Sequence, residues 1–392
     1  MTQQRRRSFP LLFAMLCAAF AAGASGAGTP ELEGHPFRGR EVFASKGCLR
    51  CHSVWRHGGT QGPDITQVVS GKTFYELVGD FWNHTPRMLD AVAQGGYEWP
   101  TLERQEMADL LSYLYYLRLF DEPGDAGRGA AVYGRLHCAD CHSLGSQGGA
   151  PGGPLDALSA YPSSLPLAQA MWNASAEMQR EQRARGVRIP EFRGSEMAHL
   201  QAYIRAEGLR DGRDVPLLPL PDPARGERAF HEKGCSTCHG GPDAPVDITR
   251  STLSRAGSEI TGLLWNHSNI MADEMRRRGV GFPRFSGTEL SDLVAYLYFL
   301  GYRGVPGEGE TGAEVFAQKR CSSCHAGPDG SAPDLMQGQR DNMELATAMW
   351  NHAPQMHEQM ADQAVSWPKF EAGEMRDLAA YLQSLTKTRD GP

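Results

Sequence analysis

Beyond residue 27 the chain has no stretch approaching the 18 or so apolar residues that a membrane helix requires. It also lacks an excess of positive charge: 39 Lys and Arg stand against 46 Asp and Glu, a formal net charge of −7. That balance argues against nucleic acid and anionic lipid as partners. It permits steering toward a basic patch on a protein partner, or serves solubility alone. Strict apolar–polar alternation is missing too, so the expected fold class is all-α. Isolated cysteines are nearly absent: of nine, only Cys17 stands outside a pair.

A length of 392 residues predicts two to four domains. The first 27 residues differ from the rest. Arg5, Arg6 and Arg7 precede an apolar run over residues 11–20 and the small residues "AAGASGA" (21–27). This is the layout of a secretory signal peptide, with cleavage expected near Ala24 or Ala27. "RRRSF" (5–9) has only a slight likeness to a twin-arginine signal. Cys17 lies inside the apolar run without a preceding small residue, so lipid anchoring there is not expected. Removal of the segment leaves a more acidic mature chain, expected to be periplasmic, soluble and without a transmembrane segment.

The other eight cysteines form four pairs: "CLRCH" (48–52), "CADCH" (138–142), "CSTCH" (235–239) and "CSSCH" (321–325). Disulfides are the first expectation for an exported chain, but every pair is C-x-x-C and every pair is followed at once by His. Two thiols at this spacing reach the two vinyl groups of one haem as thioethers, and the adjacent His ligates the iron. Zinc ribbons and thiol redox sites share C-x-x-C but do not demand that His. The pattern assigns four covalently attached haem c groups. Their attachment residues are Cys48, Cys51, Cys138, Cys141, Cys235, Cys238, Cys321 and Cys324, and His52, His142, His239 and His325 bind the metal.

Aligned on these motifs, the chain repeats every 86 to 97 residues. A Gly stands nine residues before each first Cys (Gly39, Gly129, Gly226, Gly312), and an aromatic five before it (Phe43, Tyr133, Phe230, Phe316). Downstream come a first Pro (Pro63, Pro154, Pro245, Pro333), a Trp-Asn segment and a second Pro (Pro100, Pro190, Pro283, Pro368). Glu106, Glu196, Glu289 and Glu374 each open an amphipathic stretch with a Tyr seven residues on. On these residues each unit resembles a class I cytochrome c domain. The resemblance implies an opening helix crossed by a closing helix around haem, with the first Pro carbonyl receiving the proximal His Nδ1–H. Gly- and Pro-rich linkers at 121–129, 209–226 and 301–312 agree with the period. The expected units are 28–122, 123–214, 215–303 and 304–392.

The family's usual distal Met, just before the second Pro, is absent: Trp99, Ile189, Phe282 and Trp367 stand there. The Trp-Asn segments, "FWNHTPRM" (81–88), "MWNASAEM" (171–178), "LWNHSNIM" (264–271) and "MWNHAPQM" (349–356), offer other donors. Met88, Met178, Met271 and Met356 occur in all four copies, and completeness favours them. His84, His267 and His352 are the alternative, with Ala174 in the second copy. Trp and Asn read as core and local hydrogen bonding. His35, His57, His137, His199, His231 and His357 do not recur and read as surface or pocket residues.

Four haems capped on both faces describe a periplasmic electron carrier exchanging single electrons with redox-partner proteins, and no catalytic residue is assigned. The alternative is a multihaem oxidoreductase with an open haem in the second unit, which lacks the His and carries the loop "GSQGGAPGGP" (145–154). A photosynthetic reaction-centre tetrahaem subunit fits less well, since no Met precedes Cys48 or Cys138 closely.

Overall fold

A computed structural model describes residues 32–119, 123–149, 151–208, 219–248, 256–325, 332, 333, 335 and 341–387. The expected signal segment with Cys17 lies outside these residues, as does 209–218 of the second linker. The fold is all-α apart from two short hairpins, Ser53–Val54 with His57–Gly58 and Ser143–Leu144 with Gln147–Gly148. Unit 1 holds α1 (Pro36–Ser45), α2 (Ile65–Val68), α3 (Phe74–Gln94) and α4 (Arg104–Leu117). Unit 2 holds α5 (Ala126–Arg135), α6 (Ser164–Ala184) and α7 (Glu196–Gly208). Unit 3 holds α8 (Pro223–Glu232), α9 (Ser236–His239), α10 (Gly257–Arg277) and α11 (Glu289–Arg303). Unit 4 holds α12 (Gly309–Gln318), α13 (Ser322–His325), α14 (Asn342–Asp362) and α15 (Glu374–Lys387). Among the described residues no helix is long and apolar enough to cross a membrane.

The repeated residues account for the packing of each unit. The opening and closing helices cross at the repeated Gly, where a methyl group would overlap the backbone carbonyl of Asp109, His199, Asp292 or Asp377. Beside the crossing, the repeated aromatic packs on the repeated Tyr. Phe43–Tyr113, Tyr133–Tyr203, Phe230–Tyr296 and Phe316–Tyr381 have ring centroids 5.4 to 5.8 Å apart. The repeated Glu pairs with a cation near the end of the opening helix: Lys46, Arg135, Lys233 or Lys319. It also accepts a backbone N–H from the residue three before it, as helix-start carboxylates do.

Three residues after that Glu, Asp109, Asp292 and Asp377 each accept the N–H of the residue preceding the opening helix. In unit 2 His199 takes this position, and its Nδ1 accepts the Asp125 N–H at 3.0 Å. Burial pushes the Asp109 carboxyl up, but hydrogen bonds from Arg38, the His35 N–H and Gln105 outweigh it and hold the group below its ordinary value.

The Trp-Asn segments are not local. Each indole N–H donates to the carbonyl of the second Pro of another unit: Trp82 to Pro368, Trp350 to Pro100, Trp172 to Pro283 and Trp265 to Pro190, all at 2.7 to 2.8 Å. Each following Asn bonds both the N–H and the carbonyl of a residue two after that Pro. The bridges are Asn83 with Phe370, Asn351 with Leu102, Asn173 with Phe285 and Asn266 with Phe192, at 2.7 to 3.0 Å. Unit 1 is thus clasped reciprocally to unit 4, and unit 2 to unit 3, through contacts between α3 and α14 and between α6 and α10. Trp82, Trp172 and Trp265 are core residues as expected and Trp350 packs against the core, while the expectation of local hydrogen bonding corrects to bonding across units.

Proline explains which unit pairs with which. Pro86 and Pro354 lie inside α3 and α14. A proline has no N–H, so the carbonyls four residues earlier, on Trp82 and Trp350, lose their helical donor. Trp367 of unit 4 donates its indole N–H to the Trp82 carbonyl at 3.1 Å, and Trp99 of unit 1 donates to Trp350 at 3.2 Å. In α6 and α10 the prolines are replaced by Ala176 and Asn269, and the facing residues are Phe282 and Ile189, which have no side-chain N–H. Pairing unit 1 with unit 2 or 3 would strand a freed carbonyl, at about 1–3 kcal/mol. The two pairs meet through units 1 and 3, where the Tyr115 hydroxyl donates to Ala295 and the Tyr116 hydroxyl to Pro221. The principal junctions therefore run 4–1, 1–3, 3–2, not in chain order.

Replacing Asn83 with Ala removes both bonds to Phe370 and should destabilise the protein by about 1–3 kcal/mol, read as a lower thermal midpoint. An unchanged midpoint would contradict the clasp.

Candidate haem sites

Each site begins with a backbone reversal. The residue before the first Cys has positive φ in all four units: Gly47 (83°), His137 (57°), Gly234 (78°) and Arg320 (61°). Glycine adopts this freely, whereas His137 and Arg320 hold it at a cost of roughly 1–2 kcal/mol. One helical turn follows, closed by the His N–H donating to the first Cys carbonyl at 2.9 to 3.0 Å. That turn sets both thiols and the imidazole close together. All eight described cysteines are half-buried and none is in a disulfide. Burial pushes the Cys48 and Cys321 thiols up to about 11 and Cys138 to about 12. A redox-active C-x-x-C pair has a lowered thiol instead. Among the described residues no three His, Cys, Asp or Glu side chains cluster as a metal cage.

Each motif His is fixed through Nδ1, which bonds a backbone carbonyl: His52 to Pro63 at 3.0 Å, His142 to Gly153 at 3.1 Å, His239 to Val246 at 3.0 Å and His325 to Pro333 at 2.8 Å. Donation from Nδ1 leaves Nε2 as the free ligand atom. The Pro carbonyl expectation holds for Pro63 and Pro333. For Pro154 and Pro245 it corrects by one residue, to Gly153 and Val246. In units 1 and 2 the hairpins are equal in length and the acceptor stands eleven residues after the His, so in unit 2 it is the proline that sits one place farther on; in unit 3 the acceptor follows only seven residues after His239. In units 1 and 2 a glycine also lies against the ring. A methyl on Gly62 would sit 2.5 Å from His52 Cε1, and one on Gly152 2.6 Å from His142 Cε1.

In unit 4 the motif opens onto a cavity of about 860 Å³. Cys321, Cys324 and His325 form one side, Leu345, Leu378 and Leu382 supply apolar wall, and His352 and Met356 on α14 also line it. The chemistry fits haem: thiols beside an oriented imidazole, a large apolar slot and soft or imidazole donors on another helix. A wall residue comes from elsewhere in the chain, because Trp82 of unit 1 lines this cavity. The sequence signal for it was the presence of Trp in every segment, including the one without His.

The distal candidates lie on the long middle helices. Met88, Met178, Met271 and Met356 are half-buried, and the last three pack on the cores of their units. His84 and His352 are half-buried, whereas His267 and Ala174 are exposed. Burial lowers the His84 pKa, and His52 lowers it further. His267 Nδ1 bonds the Leu263 carbonyl at 2.8 Å, which leaves its Nε2 free. Of the six non-recurring histidines, none lines the unit 4 cavity, His35 uses its backbone N–H at Asp109, and His357 packs against Trp367.

A family model described as "Cytochrome c" matches residues 37–118, and one described as "Cytochrome C oxidase, cbb3-type, subunit III" matches residues 307–382. Searches of curated proteins and of solved structures return no match. The two matched segments are units 1 and 4, which clasp each other. By these two matches, each of which contains a C-x-x-C-H motif, the chain is a c-type cytochrome.

Proposed function

We propose that the protein is a periplasmic tetrahaem c-type cytochrome, exported by residues 1–27, that carries single electrons between redox partners. Its units are residues 28–122, 123–214, 215–303 and 304–392. The observation that carries this reading is the recurrence in all four units of the same turn and the same Nδ1–carbonyl bond. Bound haem supplies a one-electron iron couple. The eight paired cysteines would attach the groups, and His52, His142, His239 and His325, with their tautomer fixed, would ligate the iron. Met88, Met178, Met271 and Met356 would supply the second ligand, a thioether that favours ferrous iron. The apolar walls exclude water.

A second ligand set is favoured by the half-buried place of His84, whose pKa burial and the charge of His52 both lower, and by the Nδ1–carbonyl bond of His267. His84, His267 and His352 would then ligate in units 1, 3 and 4. A second function, an oxidoreductase with an open haem in unit 2, is favoured by Ala174 and by Gln182. The Gln182 Oε1 is buried without a partner among the described residues, and Gln182 occupies the helix position of Met360, a wall residue of the unit 4 cavity.

Intact-mass spectrometry of the secreted protein should show four haem increments, and fewer would refute the tetrahaem reading. With Met as ligand, Met356→Ala should open one ferrous haem to carbon monoxide and remove one share of the near-infrared sulfur-to-iron band of the ferric protein. His352→Ala should leave both signals intact, and the reverse pattern would assign His. Carbon monoxide should leave the wild-type reduced spectrum unchanged. Binding at a single haem that Met178→Ala does not increase would favour the unit 2 oxidoreductase.

A further inference from the structure

The clasp between units 1 and 4 differs chemically from that between units 2 and 3. Trp82 and Trp367 stack at 4.1 Å between centroids with 21° between planes, and Trp350 and Trp99 stack at 4.6 Å with 30°. Phe81 adds an edge contact to Trp350 at 5.6 Å. Within each stacked pair one indole also donates to its partner's backbone carbonyl, Trp367 to Trp82 and Trp99 to Trp350. Units 2 and 3 have Trp172 stacked on Phe282 at 4.6 Å, and Trp265 beside Ile189 in the same core.

Trp82 belongs to unit 1 yet walls the unit 4 cavity, together with Cys321, Cys324 and His325. It sits two residues before His84 and six before Met88, the candidate ligands of unit 1's own haem. One short piece of α3 therefore reaches from one haem site to the next. Trp350 stands in the same relation to His352 and Met356 and packs on Trp99 and Phe81 of unit 1.

We propose that the Trp82–Trp367 and Trp350–Trp99 stacks are positioning residues that couple the haems of units 1 and 4, making them the closely exchanging pair although they are farthest apart in sequence. The proposal rests on the tetrahaem reading. The transfer moves one electron from the ferrous haem of one unit to the ferric haem of the other, with no bond made or broken and no proton required. The indoles supply a packed aromatic contact between the two sites and are not themselves oxidised.

The test uses full-length holoprotein whose four haems have been verified by mass, so that a wrong haem count is recognised before the coupling is measured. A fraction of the haems is photoreduced, and electron redistribution is followed by transient absorption. Trp82→Leu should lose the fastest interhaem phase, and Trp82→Phe should retain it, because Phe keeps the aromatic wall and loses only the bond to Pro368. Trp172→Leu, at the equivalent place in units 2 and 3, should leave that phase intact. Should Trp82→Leu fold poorly, Trp82→Phe with Trp367→Leu gives the same reading from the other side of the stack. A wild-type fast phase in Trp82→Leu or in Trp367→Leu, or its loss in Trp172→Leu, overturns the proposal.

Discussion

A half-buried carboxamide brings two N–H donors and an acceptor oxygen, and those turned away from solvent need partners. In this protein four such groups, on Asn83, Asn173, Asn266 and Asn351, are placed on the backbone of another unit, each taking one N–H and one carbonyl. The neighbouring indole N–H goes to a third backbone group of the same partner loop. The loop and the middle helix thus hold each other, and neither is complete within its own unit. The same middle helices carry every distal candidate, and in unit 4 the same loop lines the cavity, so the candidate site there takes its shape from this exchange.

Much of each unit was legible in the sequence because its contacts lie within one period. The repeated Gly, aromatic, Glu and Tyr identify the helix crossing, and the structure adds that aromatic and Tyr touch and that Glu meets a cation. His199 does not recur and reads in the sequence as a surface or pocket residue, yet it stands where the other units have Asp and accepts the same kind of N–H. Pro154 and Pro245 misled by one residue because the acceptor is set by its distance along the loop from the His, eleven residues in units 1 and 2 and seven in unit 3, and not by which residue is proline.

The clasp was not legible from the repeat alone. A Trp-Asn in every copy says that four equivalent bonds exist, but their partners lie 74 to 287 residues away. The pairing does have a sequence signature, visible once the geometry is known. Pro86 and Pro354 occur with Trp99 and Trp367, while Ala176 and Asn269 occur with Ile189 and Phe282. A missing backbone donor in one unit is matched by a side-chain donor in another. This chemistry, not linker length, decides that the first unit joins the fourth.

The claim on which the rest depends is that unit 1 closes on unit 4. Trp82 can be replaced by the photo-crosslinking residue benzoylphenylalanine in the full-length holoprotein, and the linked peptides mapped by mass spectrometry after irradiation. The structure predicts linkage to residues 367–370 of unit 4, where the Trp82 ring stacks on Trp367 and donates to Pro368. Linkage to residues 99–102 of the same unit, or to unit 2, would show that each unit closes on itself or on its chain neighbour and would contradict the account.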